Sequence, residues 1–158
     1  MSNSSLVNYV RLSPNYSSRN GSKITKITIH HMAGDLSVET CGNVFQNCEA
    51  SANYGIGSDG RVGLYVEECN RAWTSSSYDN DRKSITIEVA NDSGAPNWHV
   101  GNKAMAKLID LCVDICKRNG IKKLNYTGDK TGNLTMHKMF TATVCPRPVF
   151  RKQVFLYC

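Results

Sequence analysis

The sequence contains no long apolar run, and this absence excludes a simple membrane-spanning protein. No stretch approaches the roughly 20 apolar residues that a transmembrane helix requires. The first residues, from Met1 to Val7, have neither the basic segment nor the apolar stretch of a secretory signal. Internal repeats and low-complexity tracts are also missing. We therefore expect synthesis in the cytoplasm without a signal peptide, and no membrane partner.

Size and charge narrow the class further. The 158 residues, of which 41% are hydrophobic and 20% charged, suffice for one domain with a core but not comfortably for two. A formal net charge of +6 would attract polyanions, yet the basic residues are scattered and form no recognisable nucleic-acid motif. We expect no nucleic-acid partner. The charge fits either an acidic polymer as partner or simply a soluble surface.

The seven cysteines are numerous for this length, and in a secreted protein they would indicate disulfide bonds with one thiol left over. Their positions favour reduced thiols instead. Apolar stripes at helical spacing contain three of them: Cys41 and Cys48 with Val38, Val44 and Phe45, and Cys112 with Leu108, Leu111 and Ile115. We expect these three to be small core residues of helices in a protein made in a reducing compartment.

Hydrophobic periodicity and turn signals predict a series of strands and helices. We expect, in order, an irregular arm over residues 1–23, a strand from Ile24 to Ile29, a helix from Ser37 to about Cys48, a hairpin from Tyr54 to Val66 around Asp59-Gly60, a strand from Ser84 to Val89, and a helix from about Lys103 to Arg118. This order predicts an α/β fold, with a mixed central sheet flanked by helices.

Side chains alternate between the two faces of a strand, and this separates the two adjacent histidines. His31 shares a face with Ile27 and Ile29, so we expect it to pack in the core. His30 shares the other face with polar residues, as Glu88 does at the end of its own strand. If the two strands are neighbours, His30 and Glu88 point into the same cleft.

Two further residues complete a candidate metal site. His137 and Cys145 lie near the end of the chain, and with His30 they would form a three-ligand zinc set that leaves one coordination position open, as in catalytic sites. Taken alone, His137 could equally be an exposed loop residue and Cys145 another buried thiol. We interpret His99, which follows Trp98 before a helix, as structural or exposed.

Four segments together resemble a known family, the zinc N-acetylmuramoyl-L-alanine amidases of phage endolysins, bacterial autolysins and peptidoglycan recognition proteins. The segments are Ile29–Gly34 with its His-His pair, Ser51–Ile56 followed by Asp59-Gly60, Ser84–Val89, and the stretch from His137 to Cys145-Pro146. The resemblance covers about Ile24 to Phe150. It implies the fold of that family, a mixed sheet flanked by helices, with one zinc ion at the floor of a groove.

The resemblance assigns the ligands to His30, His137 and Cys145 and an acidic residue to Glu88. It implies hydrolysis of the amide between N-acetylmuramic acid and L-alanine, with peptidoglycan and its stem peptide as the partner. Glu88 would act as general base and acid, and Thr143 as a hydrogen-bond donor to the developing oxyanion. We expect a monomeric catalytic domain that acts on the bacterial wall after release from the cytoplasm, by holin-type export if the protein is phage-encoded. A wall-binding domain, if the protein has one, would follow this chain.

The sequence departs from several relatives at a catalytic tyrosine. Ala52 stands where the phenol would be, and Tyr54 could compensate only in part. Two other functions therefore stay open. One is a peptidoglycan-binding module without activity, which the lost tyrosine favours and the full ligand set opposes. The other is a cysteine peptidase with Cys145 as nucleophile and His137 as base, although Cys145 precedes a proline rather than beginning a helix.

Overall fold

The computed structural model describes residues 2–146. Eight strands, three α-helices and one 3₁₀ turn follow one another along this range. They are β1 (Tyr9–Val10), β2 (Tyr16–Ser18), β3 (Lys26–His31), α1 (Val38–Val44), β4 (Tyr54–Ile56), β5 (Val62–Leu64), β6 (Asn70–Ala72), α2 (Tyr78–Asp81), β7 (Ser84–Val89), α3 (Asn102–Asn119), β8 (Leu134–Met136) and the 3₁₀ turn (His137–Met139). None of the helices is both long and apolar enough to cross a membrane.

A six-stranded mixed sheet with the order β1-β5-β4-β7-β3-β8 forms the centre of the fold. Strands β4, β7, β3 and β8 run parallel to one another, and β5 is antiparallel to β4. Strands β2 and β6 form a separate two-stranded antiparallel ribbon. The predicted α/β class with a mixed central sheet is therefore confirmed.

Helix α3 covers one face of this sheet. Its buried side chains, among them Leu108, Leu111 and Ile115, pack against the isoleucines of β3 and β7 in the main core. The helix ends as the sequence predicts, since Gly120 adopts a left-handed conformation with φ 67° and its N–H bonds to the carbonyl of Cys116. Because these side chains of α3 cover the isoleucine face of β3 and β7, the polar side chains of the two strands lie on the opposite face.

Helices α1 and α2 lie on the opposite face. Ser37, where the predicted helix begins, caps α1 by accepting the Thr40 N–H at 3.1 Å. The predicted end near Cys48 is wrong, because the helix stops at Val44 and tighter turns follow. Asn47 donates its side-chain amide to the carbonyl of Asn43, and such local bonds compete with helix continuation. Cys48 is consequently exposed rather than a core residue, whereas Cys41 is buried as expected.

The segment before Ile24 is more ordered than the sequence indicates. Strand β1 pairs with β5, and β2 pairs with β6, so the expected irregular arm is wrong for these residues. The buried Arg19 explains part of this order, because its guanidinium donates to the carbonyls of Glu68, Asp81 and Arg82. The hairpin of β4 and β5, by contrast, follows the prediction, with Gly60 at φ 85° in the turn.

Candidate metal centre

The pairing of β3 with β7 places His30 directly opposite Glu88. Both residues lie at the carboxyl ends of parallel strands and on the polar face of the sheet, as their parity predicts. The His30 Nδ1 atom is 3.8 Å from Glu88 Oε1. His30 is buried, whereas the Glu88 side chain keeps 15% of its surface exposed. The carboxylate is therefore the member of this pair that a bound molecule can reach.

Strand β8 brings His137 to the same place. It pairs in parallel with β3, with Met136 opposite Ile29, so the residue after β8 emerges beside the end of β3. The ring centroids of His30 and His137 are 4.6 Å apart. The sequence pattern did not predict β8, which has three residues and is fully buried. Proximity of these two histidines is thus a result of sheet order rather than of spacing along the chain.

Cys145 reaches the two histidines from a loop that backbone contacts hold in position. Its carbonyl accepts the Lys138 N–H at 2.8 Å, which ties the loop to the 3₁₀ turn. Its Sγ atom accepts the His31 N–H at 3.4 Å and lies 4.0 Å from His30 Nδ1. The Thr143 hydroxyl oxygen accepts the Cys145 N–H at 3.3 Å, which leaves the hydroxyl hydrogen able to donate elsewhere.

Together these residues form a cluster that could hold a metal ion. One donor atom from each of His30, His137 and Cys145 lies within 4.8 Å of the other two. The Nε2 atoms of both histidines are buried and have no hydrogen-bond partner among residues 2–146. Buried polar atoms are nearly always satisfied, so a cation that accepts lone pairs here would complete the site. Two imidazoles and one thiolate suit zinc and leave one coordination position open.

The protonation states of the histidines suit this role. Burial lowers the pKa of His30 well below its usual range, and the neighbouring His137 and His31 lower it further. Burial also lowers the pKa of His137, against a smaller opposing effect of Asp81. Both imidazoles are therefore neutral at pH 7 and offer lone pairs.

Burial raises the pKa values of both acidic groups of the site. Burial and then the nearby Glu88 raise the pKa of the Cys145 thiol to about 12, so at pH 7 it needs a cation to become a thiolate. Burial raises the pKa of Glu88 to about 8. A carboxyl group that titrates near neutrality can both accept and return a proton at physiological pH.

The remaining sequence candidates lie outside this cluster. His31 is buried and packs edge-on against Trp98 with ring centroids 5.4 Å apart. His99 is exposed and its Nδ1 is 2.7 Å from Asp92. Tyr54 pairs with Ile87 and therefore lies on the core face, where its hydroxyl donates to Glu68 at 2.6 Å. Tyr54 thus cannot supply the phenol that Ala52 lacks.

The sequence pattern does not predict the cleft that lies beside this cluster. A cleft of about 150 Å³ adjoins Glu88 and is otherwise lined mainly by apolar side chains: His31, Met32, Leu36, Cys41, Val44 and Phe45. Most of these residues come from α1 and the loop before it, whose packing the periodicity alone did not fix. The cleft gives a bound molecule an apolar contact next to the carboxylate.

The sheet and its donor cluster together have the architecture of an α/β protein with a candidate metal site at the carboxyl ends of parallel strands. Comparison with known proteins gives the same class. Residues 20–148 match the family model of N-acetylmuramoyl-L-alanine amidase. The chain therefore belongs to the N-acetylmuramoyl-L-alanine amidase family. No curated protein sequence matches it significantly.

Solved structures share the fold at low sequence identity. A selenomethionine derivative of AmpD superposes with a TM-score of 0.72 at 19% identity, over 96% of this chain and 93% of that one. A mutant endolysin from Bacillus subtilis gives 0.69 at 18%, over 92% and 94%. The N-acetylmuramoyl-L-alanine amidase LysC from Clostridium intestinale gives 0.64 at 18%, over 89% and 85%. At these identities the likeness establishes the fold.

Proposed function

We propose that this protein is a zinc-dependent amidase that cuts the bond between N-acetylmuramic acid and L-alanine in bacterial peptidoglycan and so lyses the cell wall. The observation that carries the proposal is the convergence of His30, His137 and Cys145 beside Glu88 in a member of this family. We further propose that the chain acts as a single monomeric catalytic domain, on the wall, after release from the cytoplasm.

The residues of the site divide the work between binding and proton transfer. His30, His137 and Cys145 would hold zinc, whose contribution when bound is Lewis acidity that acidifies water and polarises a carbonyl group. Glu88 would take the proton of the attacking water and return it to the leaving amine of L-alanine. The Thr143 hydroxyl, already held by the Cys145 N–H, would donate a hydrogen bond to the developing oxyanion.

The cysteine-peptidase alternative fits the site less well. A nucleophilic cysteine needs a lowered thiol pKa, whereas burial and Glu88 raise the pKa of Cys145 to about 12. The Sγ atom also accepts the His31 N–H, so it is already engaged. A binding module without activity stays the more serious competitor, because a family fold does not by itself require turnover.

Metal analysis and product analysis together test the proposal. We expect one zinc ion per chain, and release of L-alanine amino groups from purified peptidoglycan without new reducing sugar ends. Chelation should stop the release and added zinc should restore it. Bound zinc without any released amine would identify a binding module. Inactivation by a thiol reagent while zinc stays bound would favour a cysteine nucleophile.

A further inference from the structure

A cleft of about 330 Å³ lies between α2 and the 3₁₀ turn, away from the candidate metal centre. Lys26 places it on β3 four residues before His30, which corresponds to about 13 Å at roughly 3.3 Å per residue. Between these two residues the strand face is filled by the buried Thr28, whose hydroxyl is hydrogen-bonded to Ser84 and Thr135. The cleft and the candidate metal centre are therefore separate sites.

The cleft is positively charged. Its walls combine three lysines with polar and apolar side chains: Lys26, Lys83, Lys130, Ser77, Asp79, Asn80, Met139 and Phe140. No carboxylate of residues 2–146 forms a salt bridge with any of these lysines. Asp79, the acidic residue among them, instead accepts a hydrogen bond from Arg82 Nε at 3.1 Å. Three ammonium groups thus share the cleft without a carboxylate partner.

Lys26 shows the effect of this crowding. Its Nζ atom donates to the Lys130 carbonyl at 2.9 Å, which fixes the position of the ammonium group. Desolvation, and then repulsion from Lys83, lowers the pKa of Lys26. A bound anion would offset both effects, because it would replace lost hydration and neutralise like charges. The cleft therefore favours a ligand with a negative charge.

The positive surface continues beyond the cleft, past α2. The Arg82 guanidinium, which pairs with Asp79 of the cleft wall, also lies 5.8 Å from the ring centroid of Tyr78. The Arg71 guanidinium lies 4.7 Å from the same centroid. Arg71 donates to Ser17 Oγ at 2.8 Å and forms no salt bridge within the described part of the chain. A fourth cation without a carboxylate partner is thus connected to the cleft through the side chains around α2.

A surface of this kind fits a chain with repeated negative charges. One anion suffices for the three lysines, whereas Arg71 lies outside the cleft and requires a second. Guanidinium and ammonium groups bind phosphate oxygens through charge-assisted hydrogen bonds. The Tyr78 ring is already in contact with two guanidinium groups, so it is not a free platform on which a nucleic-acid base would stack. These contacts favour a phosphodiester polymer without bases.

We propose that the three lysines of the cleft, together with Arg71, bind a phosphodiester-linked polyol polymer of the bacterial wall, with one phosphate in the cleft and another beside Arg71. The inference goes beyond the proposed amidase function, because it concerns attachment rather than cleavage. The chemistry of the partner follows from this surface, and its source in the wall rests on the proposed function. Part of the net charge of +6 then serves to concentrate the protein on an anionic wall.

Soluble poly(glycerol phosphate) is the probe, since it carries repeated phosphodiesters and has no amide bond that the enzyme could cut. Calorimetry compares the unaltered protein with a cleft variant that carries Lys83→Gln and Lys130→Gln. The matched control carries Lys122→Gln and Lys123→Gln in a groove near the end of α3, so the net charge changes equally. A third variant, Arg71→Gln, tests the surface beyond the cleft. Thermal unfolding verifies that each variant is folded.

We expect the cleft variant to bind the polymer at least about tenfold more weakly than the unaltered protein, because it lacks charge-assisted hydrogen bonds to a phosphate. The control should stay within about twofold, since salt at about 0.15 M screens distant charges. Arg71→Gln should weaken binding of the polymer but not of glycerol 3-phosphate, which has a single phosphate. Arginine at both cleft positions, as Lys83→Arg with Lys130→Arg, should retain the affinity.

Three outcomes would overturn the inference. Equal losses in the cleft and control variants would reduce the effect to attraction by net charge. Tighter binding of single-stranded DNA would indicate a nucleic-acid surface, and tighter binding of phosphatidylglycerol vesicles would indicate a lipid surface. Polymer binding without turnover of peptidoglycan would uphold this surface and reject the amidase function, whereas turnover without polymer binding would do the reverse.

Discussion

The two faces of β3 and β7 have opposite chemistry although they belong to the same twelve residues. On one face Ile27, Ile29, Ile85 and Ile87 are at most 1% exposed and pack under α3. On the other face the side chains are polar, yet several of them are equally buried. Burial alone therefore does not distinguish the hydrophobic core from the candidate metal site in this protein.

Hydrogen bonding makes that separation. In the amino-terminal half of the polar face, the Thr28 hydroxyl is 2.6 Å from Ser84 Oγ and 2.9 Å from Thr135 Oγ1, so the buried hydroxyls satisfy one another. At the carboxyl ends, the Nε2 atoms of His30 and His137 stay unsatisfied. Among the side chains of β3, β7 and β8 on this face, the buried hydroxyls are thus satisfied by one another, whereas the histidine at the carboxyl end of β3 keeps a nitrogen without a protein partner.

The largest expected effect comes from His30. We predict that His30→Ala abolishes zinc retention and turnover, because it removes one of the three proposed ligands at the end of the polar face. His31→Ala is the matched control, since it changes the adjacent residue on the core face. It should keep its zinc and mainly lower the free energy of unfolding. Elemental analysis measures the zinc content of both variants. If His30→Ala kept its zinc and His31→Ala lost it, the assignment of the ligand from strand parity would be wrong.

Glu88 tests the polar face without removing a ligand. Glu88→Gln preserves the shape of the side chain but not its basicity, so zinc content and folding should persist while turnover falls by roughly two to four orders of magnitude. The acidic limb of the rate-pH profile should also disappear. Near-normal turnover would exclude Glu88 as the proton carrier and direct attention to Thr143, because Tyr54 lies on the other face.

These two predictions rest on the part of the fold that the sequence predicts well. Period-two alternation predicts the observed bounds of β7. It also predicts that His30 and Glu88 lie on the polar faces of their strands, without information on which strands are adjacent. The helical stripe and Gly120 likewise fix α3. Each of these signals is local, because it depends on side chains a few residues apart.

The rest depends on contacts that no local pattern contains. Strand β8 has only three residues, too few for alternation to establish a period, so only its place beside β3 makes it a strand. Helix α2 has only four residues. Its Asn80 belongs to the polar face only through the hydrogen bond that its side-chain nitrogen donates to Thr28 Oγ1. The candidate metal ligands could thus be proposed from the sequence, whereas the contacts of Asn80 could not.

The core face should respond through stability instead of activity. Leu108 is fully buried in α3, and Leu108→Ala should lower the free energy of unfolding by about 2–5 kcal/mol, through lost burial and a cavity. Zinc content of the folded protein should not change. Val44→Ala is the control, because Val44 is 47% exposed and should cost no more than about 0.5 kcal/mol. Urea unfolding measures both, and loss of zinc in the Leu108 variant would show that the faces are coupled.

Removing the metal should expose a pH dependence that belongs to the polar face. Burial raises the pKa of Glu88 from its ordinary 4.5 to about 8 in the folded protein. Between these values the folded state keeps a proton that the unfolded state has lost, so stability should fall as pH rises from about 4.5 to 8. Urea midpoints of the chelated protein measure this, and the dependence should be absent in Glu88→Gln. An unchanged slope in that variant would assign the effect to another group.

The smallest expected effect has the opposite sign and comes from a carboxylate outside both faces. Hydrogen bonds from the side chain of Thr131, then from Thr127 and the Thr131 N–H, lower the pKa of Asp129 from 3.8 to about 2. Between about pH 2 and 3.8 the folded state therefore holds fewer protons than the unfolded state. The contribution of Asp129 to the free energy of unfolding is complete above about pH 4 and is lost as pH falls towards 2. Asp129 is fully exposed in a turn, so solvent screening should keep the loss small. Carbon-13 NMR should show its carboxyl titrating near pH 2, and titration near 4 would mean that the turn does not hold these hydrogen bonds in solution.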